Sequence, residues 1–310
     1  MYVKDEVAVS YLAGAVLLTF PWLGVIWGTW GIIWEVILLL AVFLLGRRNG
    51  LIIAAVCLFI GYAIPSLGFG VSAFNQMTLV PFAGLLGVWG WQKHWPVRVT
   101  FFWGAALAAI LGAIPVISFA AQGIDSKTLG NMVNAIIQQY QTSGLLKVLK
   151  QQGIDEVQFR DSLQQFIQVF VLIMPGLEAI VAIAEFGVVF SLVRRWFRDE
   201  DHIAFTHWRL PWYSVWGVIL GIALYLLGDQ FSWTVMRGIG INIMVVYAAL
   251  ALMLGISVYI YLLKSPKIPR ILKWAIIIAS FLYFFLSVVS LIMFGLFDLV
   301  FNFRHLPEKM

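Results

Sequence analysis

Long apolar runs separated by short polar punctuation make up nearly the whole chain. A bilayer crossing takes about 20 helical residues at about 1.5 Å rise. On that measure the runs predict nine spans, at roughly 8–27, 31–46, 51–69, 76–92, 99–121, 166–193, 212–228, 235–263 and 271–297. The second is short for a full crossing, and the eighth is long enough to tilt. The last run ends in FDLVFNFRHLPEK, which reads alternatively as a segment lying along an interface, leaving eight spans. The expected fold is therefore an all-α, polytopic transmembrane helical bundle. Its expected parts are a five-span bundle over 1–121, an external segment over 122–165 and a four-span part over 166–310, packed as one membrane domain.

The stretch from Asp155 to Arg195 organises the rest. It starts polar (DEVQFRDSLQQFIQ), turns apolar and stops at Arg194-Arg195. Within the apolar part stand Glu178 and Glu185, seven residues apart and so on one helical face. A carboxyl at membrane depth costs roughly 2.5 kcal/mol or more, so it normally points into a bundle or a wet cavity. Pro175 immediately precedes Glu178, and a kink beside a buried carboxyl is how discontinuous helices build midplane sites. Pro65, Pro81 and Pro115 also fall within predicted spans.

Residues 122–165 form the one long polar insertion. Ser126 reads as an N-cap, with apolar Leu129, Met132, Val133, Ile136 and Ile137 following at helical spacing. Gly144 and Gly153 bracket a second short helix (LLKVLKQQ). These segments are expected to lie on the outer membrane surface or to cap the bundle.

Composition agrees with the pattern. Apolar residues are 62%, charged residues 11% and mean hydropathy is +0.94, which excludes an ordinary globular domain. The net charge of +5 comes from short basic clusters between spans, the pattern of topology determinants rather than of nucleic-acid binding. With nine spans, Lys4, Arg47-Arg48, Lys93 with Arg98, the cluster from Arg194 to Arg209 and that from Lys264 to Lys273 all fall on one side. Positive-inside topology then puts the N-terminus in the cytoplasm and the C-terminus outside, in a plasma membrane. The start (MYVKDEVAVSYL) lacks a cleavable secretory signal, so the first span is expected to stay as an anchor.

Candidate ligand-binding residues are the polar groups within or beside the spans. They are Glu35, Asn75, Gln76, Glu178, Glu185, Asp229, Arg237 and Asn242, several of which gather toward the outer face on this topology, where an outward pocket would sit. Loop ends and helix caps would give the same pattern. Catalysis finds little support: the four His lie in loops or at span ends without metal-binding spacing, and no HExxH, GxSxG or Walker sequence occurs. The lone Cys57 allows no disulfide or thiolate metal site. No metal, cofactor or nucleic acid is expected. Small residues four apart, such as Ser10 and Gly14 or Gly217 and Gly221, suit close helix packing or the docking of a separate membrane subunit.

Three stretches carry a family resemblance: FTHWRLPWYSVWG at 205–217, NIMVVYAALALMLGISVYIYLLK at 242–264 and GLFDLVFNFRH at 295–305. They resemble the YybS-like family of bacterial membrane proteins, which has no assigned activity. The N-terminal part of such proteins is similar to the substrate-binding S-components of energy-coupling-factor vitamin transporters. That resemblance implies a helical bundle with an outward pocket, a small-molecule ligand and a first helix that docks a membrane partner. The chain departs from it in having about nine spans where S-components have about six. In place of an Ala-x-x-x-Ala its first span offers Ser10 and Gly14. The reading that follows is a membrane protein binding a small ligand from outside, as part of a transporter; the alternative is a scaffold acting through protein partners.

Overall fold

The computed structural model describes residues 2–26, 31–69, 78–122, 125–197, 205–266 and 268–304. Asn75 and Gln76 lie outside the described residues. The described chain is helical throughout, as its apolar runs require: in hydrocarbon every backbone polar group must be satisfied within its own segment. The helices are α1 (Tyr2–Ile26), α2 (Gly31–Asn49), α3 (Leu51–Phe69), α4 (Pro81–Gln92), α5 (Val97–Gln122), α6 (Ser126–Thr142), α7 (Leu145–Gln151), α8 (Glu156–Trp196), α9 (Val215–Gln230), α10 (Thr234–Lys264), α11 (Arg270–Leu282) and α12 (Phe284–Phe301). Six of them are long and apolar enough to cross a membrane: α3, α5, α8, α9 with its preceding turn, α10 and α12.

α8 is the centre of the bundle. Its 41 residues would extend about 60 Å at about 1.5 Å each, more than a bilayer needs. The apolar portion packs along α5 and also meets α2, α4 and α10. Ala182, Ile183, Phe186, Val189, Phe190 and Val193 form the main core with Leu39 and Phe43 of α2 and Ala105 and Ala108 of α5. Rings of Phe43, Trp91, Phe186 and Phe190 stack at its heart, with centroids 5.4–6.0 Å apart. α8 thus belongs as much to the N-terminal helices as to the C-terminal part in which the sequence reading groups it.

The polar start of α8 carries α6 and α7. Leu129, Val133 and Ile137 of α6 and Leu146 of α7 are buried together, with Phe159, Leu163 and Ile167 of α8 packed against them. The amphipathic face of α6 is therefore turned to protein. Its N-cap is Asp125, not Ser126: the Asp125 carboxylate accepts from the Lys127 and Thr128 N–H groups, and Ser126 is the first helical residue. One position decides it, because only the residue with extended backbone can turn its side chain back onto the first turn.

α4 is half a span. Gly84 faces Leu39 and Val42 of α2, Gly87 faces Phe43, and Gly46 faces Val88, so α4 runs parallel to α2 and begins opposite its middle. Twelve residues at about 1.5 Å reach about 18 Å, well short of a hydrocarbon core of about 30 Å. The non-helical residues Thr78 and Leu79 that precede it are packed within the bundle, where the hydroxyl of buried Tyr62 (α3) donates to the Thr78 carbonyl. Irregular backbone at membrane depth persists only when buried in protein and paired in this way.

The C-terminal end departs from the nine-span expectation. The predicted span 271–297 is broken at Tyr283 into α11 and α12. α12 crosses α10 at backbone contact: a Cβ on Gly255 would sit 1.9 Å from the Leu291 carbonyl oxygen, and one on Gly295 1.9 Å from that of Ala251. Arg304, three residues beyond α12, bonds to Ser257 near the end of α10 and to carbonyls of Thr206 and Trp208 before α9. α12 therefore ends on the face where α10 ends. Thirteen residues of α11 rise only about 20 Å, so α11 and α12 enter and return on one face. The expected single span over 271–297 is thus replaced by a helical hairpin whose two ends share that face. That face is marked by Arg47, whose guanidinium lies 4.9 Å from the Trp91 ring and 4.8 Å from that of Phe197.

Candidate functional site

Three of the predicted site residues meet inside the bundle. Glu35 comes from α2, one turn before Leu39, and Glu178 and Glu185 come from α8. Each carboxyl lies within electrostatic range of the other two, and the Glu35 carboxyl faces that of Glu185. Helical periodicity put the two α8 carboxyls on one face; the shared packing of α2 and α8 against Phe43, Phe186 and Phe190 adds the third.

Glu185 is 5% exposed; its carboxyl is within hydrogen-bond reach of the Glu35 carboxyl, and no N–H or hydroxyl among the described residues donates to it. A buried polar atom without a partner costs about 1–3 kcal/mol, and more when charged. No Lys, Arg or His among the described residues forms an ion pair with any of the three. Nor do three His, Cys, Asp or Glu side chains among them converge where one metal ion could be held.

Two neighbours complete the surroundings. Tyr62 stands within electrostatic range of Glu35 while its hydroxyl holds the Thr78 carbonyl. The start of α4 is close to α8: a Cβ on Gly112 of α5 would meet Ala182 Cβ at 2.7 Å, the Glu178 carbonyl oxygen at 3.3 Å and Val80 Cγ2 at 3.5 Å. A helix N-terminus favours negative charge by about 0.3–1 kcal/mol at an exposed site. The half-helix thus ends beside the backbone that bears the carboxyls.

Asn242 takes another part. Its Oδ1 accepts from the Gly176 N–H at 2.6 Å, and its Nδ2 donates to the Leu172 carbonyl at 2.9 Å and to that of Gly238 at 2.8 Å. Gly176 and Leu172 are the pair an uninterrupted helix joins directly, one position past the bond that Pro175 removes. Asp229 and Arg237 lie apart from the three carboxyls, at the turn between α9 and α10. They make a 3.4 Å ion pair with side chains 60% and 46% exposed.

Sequence reading missed a second buried charged group. All five donor positions of the Arg304 guanidinium are engaged. Nε and Nη2 bond Asp298 Oδ2 at 3.0 and 2.6 Å, Nη1 bonds the Thr206 carbonyl and Ser257 Oγ at 2.7 Å each, and Nη2 also bonds the Trp208 carbonyl at 2.8 Å. Both side chains of the ion pair are 1% exposed. Ser257 Oγ donates to the Phe205 carbonyl and Arg98 to that of His207, so four consecutive carbonyls are held. The signal was present: the three stretches that carry the family resemblance supply Thr206 and Trp208, Ser257, and Asp298 with Arg304.

Residues 10–299 match the family described as Predicted membrane protein (DUF2232). The chain belongs to the DUF2232 family. No curated protein and no solved structure matches it. This DUF2232 chain is accordingly an integral, multi-pass membrane protein with several apolar spans.

Proposed function

We propose that this protein binds a small ligand carrying a positive charge at Glu35, Glu178 and Glu185, entering from the face opposite the basic clusters, as the substrate-binding component of a transporter. The observation that carries the reading is the Glu185 carboxyl, buried with the Glu35 carboxyl as its hydrogen-bond partner and no cation paired with it among the described residues. One buried and two half-buried carboxyls without a cationic partner among the described residues call for protons or a cationic ligand to neutralise them. Because they do not converge on a metal-sized point among the described residues, an organic ammonium or amidinium group suits them better than a lone ion. The half-helix α4, with Tyr62 supporting the unwound backbone before it, is the architecture that discontinuous-helix transporters use at their midplane sites. The resemblance to YybS-like proteins and to S-components supports the same reading. With the basic clusters inside, Arg304 and the N-terminus are cytoplasmic, and α6 and α7 lie outside.

The test is thermal unfolding of the purified protein in lipid nanodiscs against a panel of organic and inorganic cations. A ligand at a hundred times its Kd should stabilise the fold by about 2.7 kcal/mol. That gain should vanish in Glu185→Gln. No cation-dependent shift across the panel would overturn the reading.

The scaffold reading keeps one observation in its favour. A Cβ on Gly14 would meet nothing within 4 Å, so this part of α1 is open to a second membrane subunit. Partner capture that depends on Ser10 and Gly14 would support it.

A further inference from the structure

The amide of Asn242 spends both its protons on α8 and α10 carbonyls and its oxygen on the Gly176 N–H. It has no proton left to offer a ligand. What it does instead is brace α8 on both sides of Pro175, which offers no N–H of its own, immediately before the two carboxyls, since Glu178 follows Gly176 by two residues and Glu185 by nine. Gly176 makes the approach feasible: a Cβ there would stand 2.9 Å from Asn242 Oδ1 and 3.1 Å from the Asn242 carbonyl oxygen. We propose that Asn242 is a positioning residue of the carboxyl site, fixing the course of α8 past Pro175 and so the placement of Glu178 and Glu185 against Glu35.

The lever is long enough to matter. From Pro175 to Glu185 is about 15 Å of helix, so a change of about 10° in the direction of α8 past Pro175 moves Glu185 by roughly 3 Å. That distance makes or breaks a hydrogen bond. The bridge also ties the site to the C-terminal helices: α10 carries Asn242 in its first third and Ser257, a ligand of Arg304, in its last. α9 and α12 pack on the same helix. Displacing α10 therefore displaces the carboxyls, and ligand seated on the carboxyls resists that displacement.

This inference rests on the proposed role of the three carboxyls, and one experiment separates the two. The infrared C=O band of protonated Glu185, assigned by its loss in Glu185→Gln, is followed against pH in wild type, Asn242→Leu, Pro175→Ala and the double variant. Asn242→Leu should move the midpoint by about one pH unit or more, a tenfold change in proton affinity. In the Pro175→Ala background, where α8 regains its own hydrogen bond, the same substitution should move it by less than about a third of that. Should Asn242→Leu not fold, Pro175→Ala alone must still shift the midpoint, because α8 then regains a backbone bond beside the ones Asn242 supplies. An unchanged midpoint in folded Asn242→Leu, or an equal shift in both backgrounds, overturns the proposal. A wild type whose band responds to Asn242 but to no cation keeps the positioning role and removes the binding role. Absence of a Glu185 band at every pH overturns both.

Discussion

Two groups of charged side chains are buried in this bundle, and they are treated in opposite ways. Arg304 and Asp298 are paired, and every donor of the guanidinium is matched to an acceptor from three different parts of the chain, with Asp298 Oδ1 alone left without a donor. Glu35, Glu178 and Glu185 are all of one sign, and the most buried of them, Glu185, has another carboxyl as its hydrogen-bond partner and no cation paired with it among the described residues. A buried charge with its partners supplied is part of the architecture: it fixes the α12 end, α10 and the 205–208 turn in one arrangement. A buried carboxyl left without a cation costs stability, and a fold that retains it has a use for the missing partner. The proposed binding role of the carboxyls rests on this difference, without reference to any relative.

The largest effect should come from breaking the matched group. Arg304→Met leaves Asp298 buried and unpaired, which costs about 3–5 kcal/mol. The melting temperature should fall sharply, and the 205–208 turn should become open to proteolysis. Arg304→Met with Asp298→Leu sharpens the point: with both charges gone, much of the loss should return. If the double variant is no better than the single, the carbonyl contacts matter more than the ion pair.

Next in size is the crossing of α10 and α12. Gly255→Leu drives a side chain into the Leu291 backbone, where only hydrogen fits, and overpacking of this kind costs about 1–3 kcal/mol or more. Denaturation should register it, and because Asn242 ties α10 to α8, cation affinity at the carboxyls should weaken with it in whatever fraction remains folded. An unchanged affinity would show that the two regions are more separate than that tie implies.

Smaller still is the exposed pair at the α9–α10 turn. Asp229→Ala should change stability by no more than about 1 kcal/mol, because solvent screens the pair. Gly14→Leu should be smaller again, within about 0.5 kcal/mol, as its side chain enters open space. The smallest effect is one of pH. The Thr128 hydroxyl, then the Thr128 N–H, hold the Asp125 carboxyl below its ordinary range. Its contribution to α6 is complete above the unfolded value near about 3.9 and is lost as pH falls through the lower folded value. Amide exchange of the first turn of α6 should quicken only in that acid window, and Asp125→Ala should remove the dependence.

Much of this was legible in the sequence. Hydropathy gives the helices, the polar-to-apolar switch at 155–166 marks α8 as the organiser, and the i, i+7 spacing pairs Glu178 with Glu185. What was not legible depends on contacts between helices. Nothing in a single helix tells that Glu35 meets Glu185, or that Asn242, a lone amide in an apolar run, is spent on another helix's backbone. Arg304 looked like a tail residue because helical spacing does not describe it. It reaches Asp298 six positions back only because Asn302, in left-handed conformation with φ 48°, turns the chain around the end of α12. That turn also brings Arg304 onto Ser257 near the end of α10, a contact that span counting does not reveal.

The most direct test of the central claim compares stability with binding for Glu185→Gln, in the same nanodiscs and at one pH. Gln keeps the size and hydrogen-bonding capacity of the side chain and removes its charge and its titratable proton. An unmatched carboxyl kept for binding predicts a melting temperature equal to or above that of wild type, with the cation-dependent stabilisation gone. A fall of several kcal/mol in stability would contradict the account, for it would mean that Glu185 is as fully used by the fold as Arg304 is.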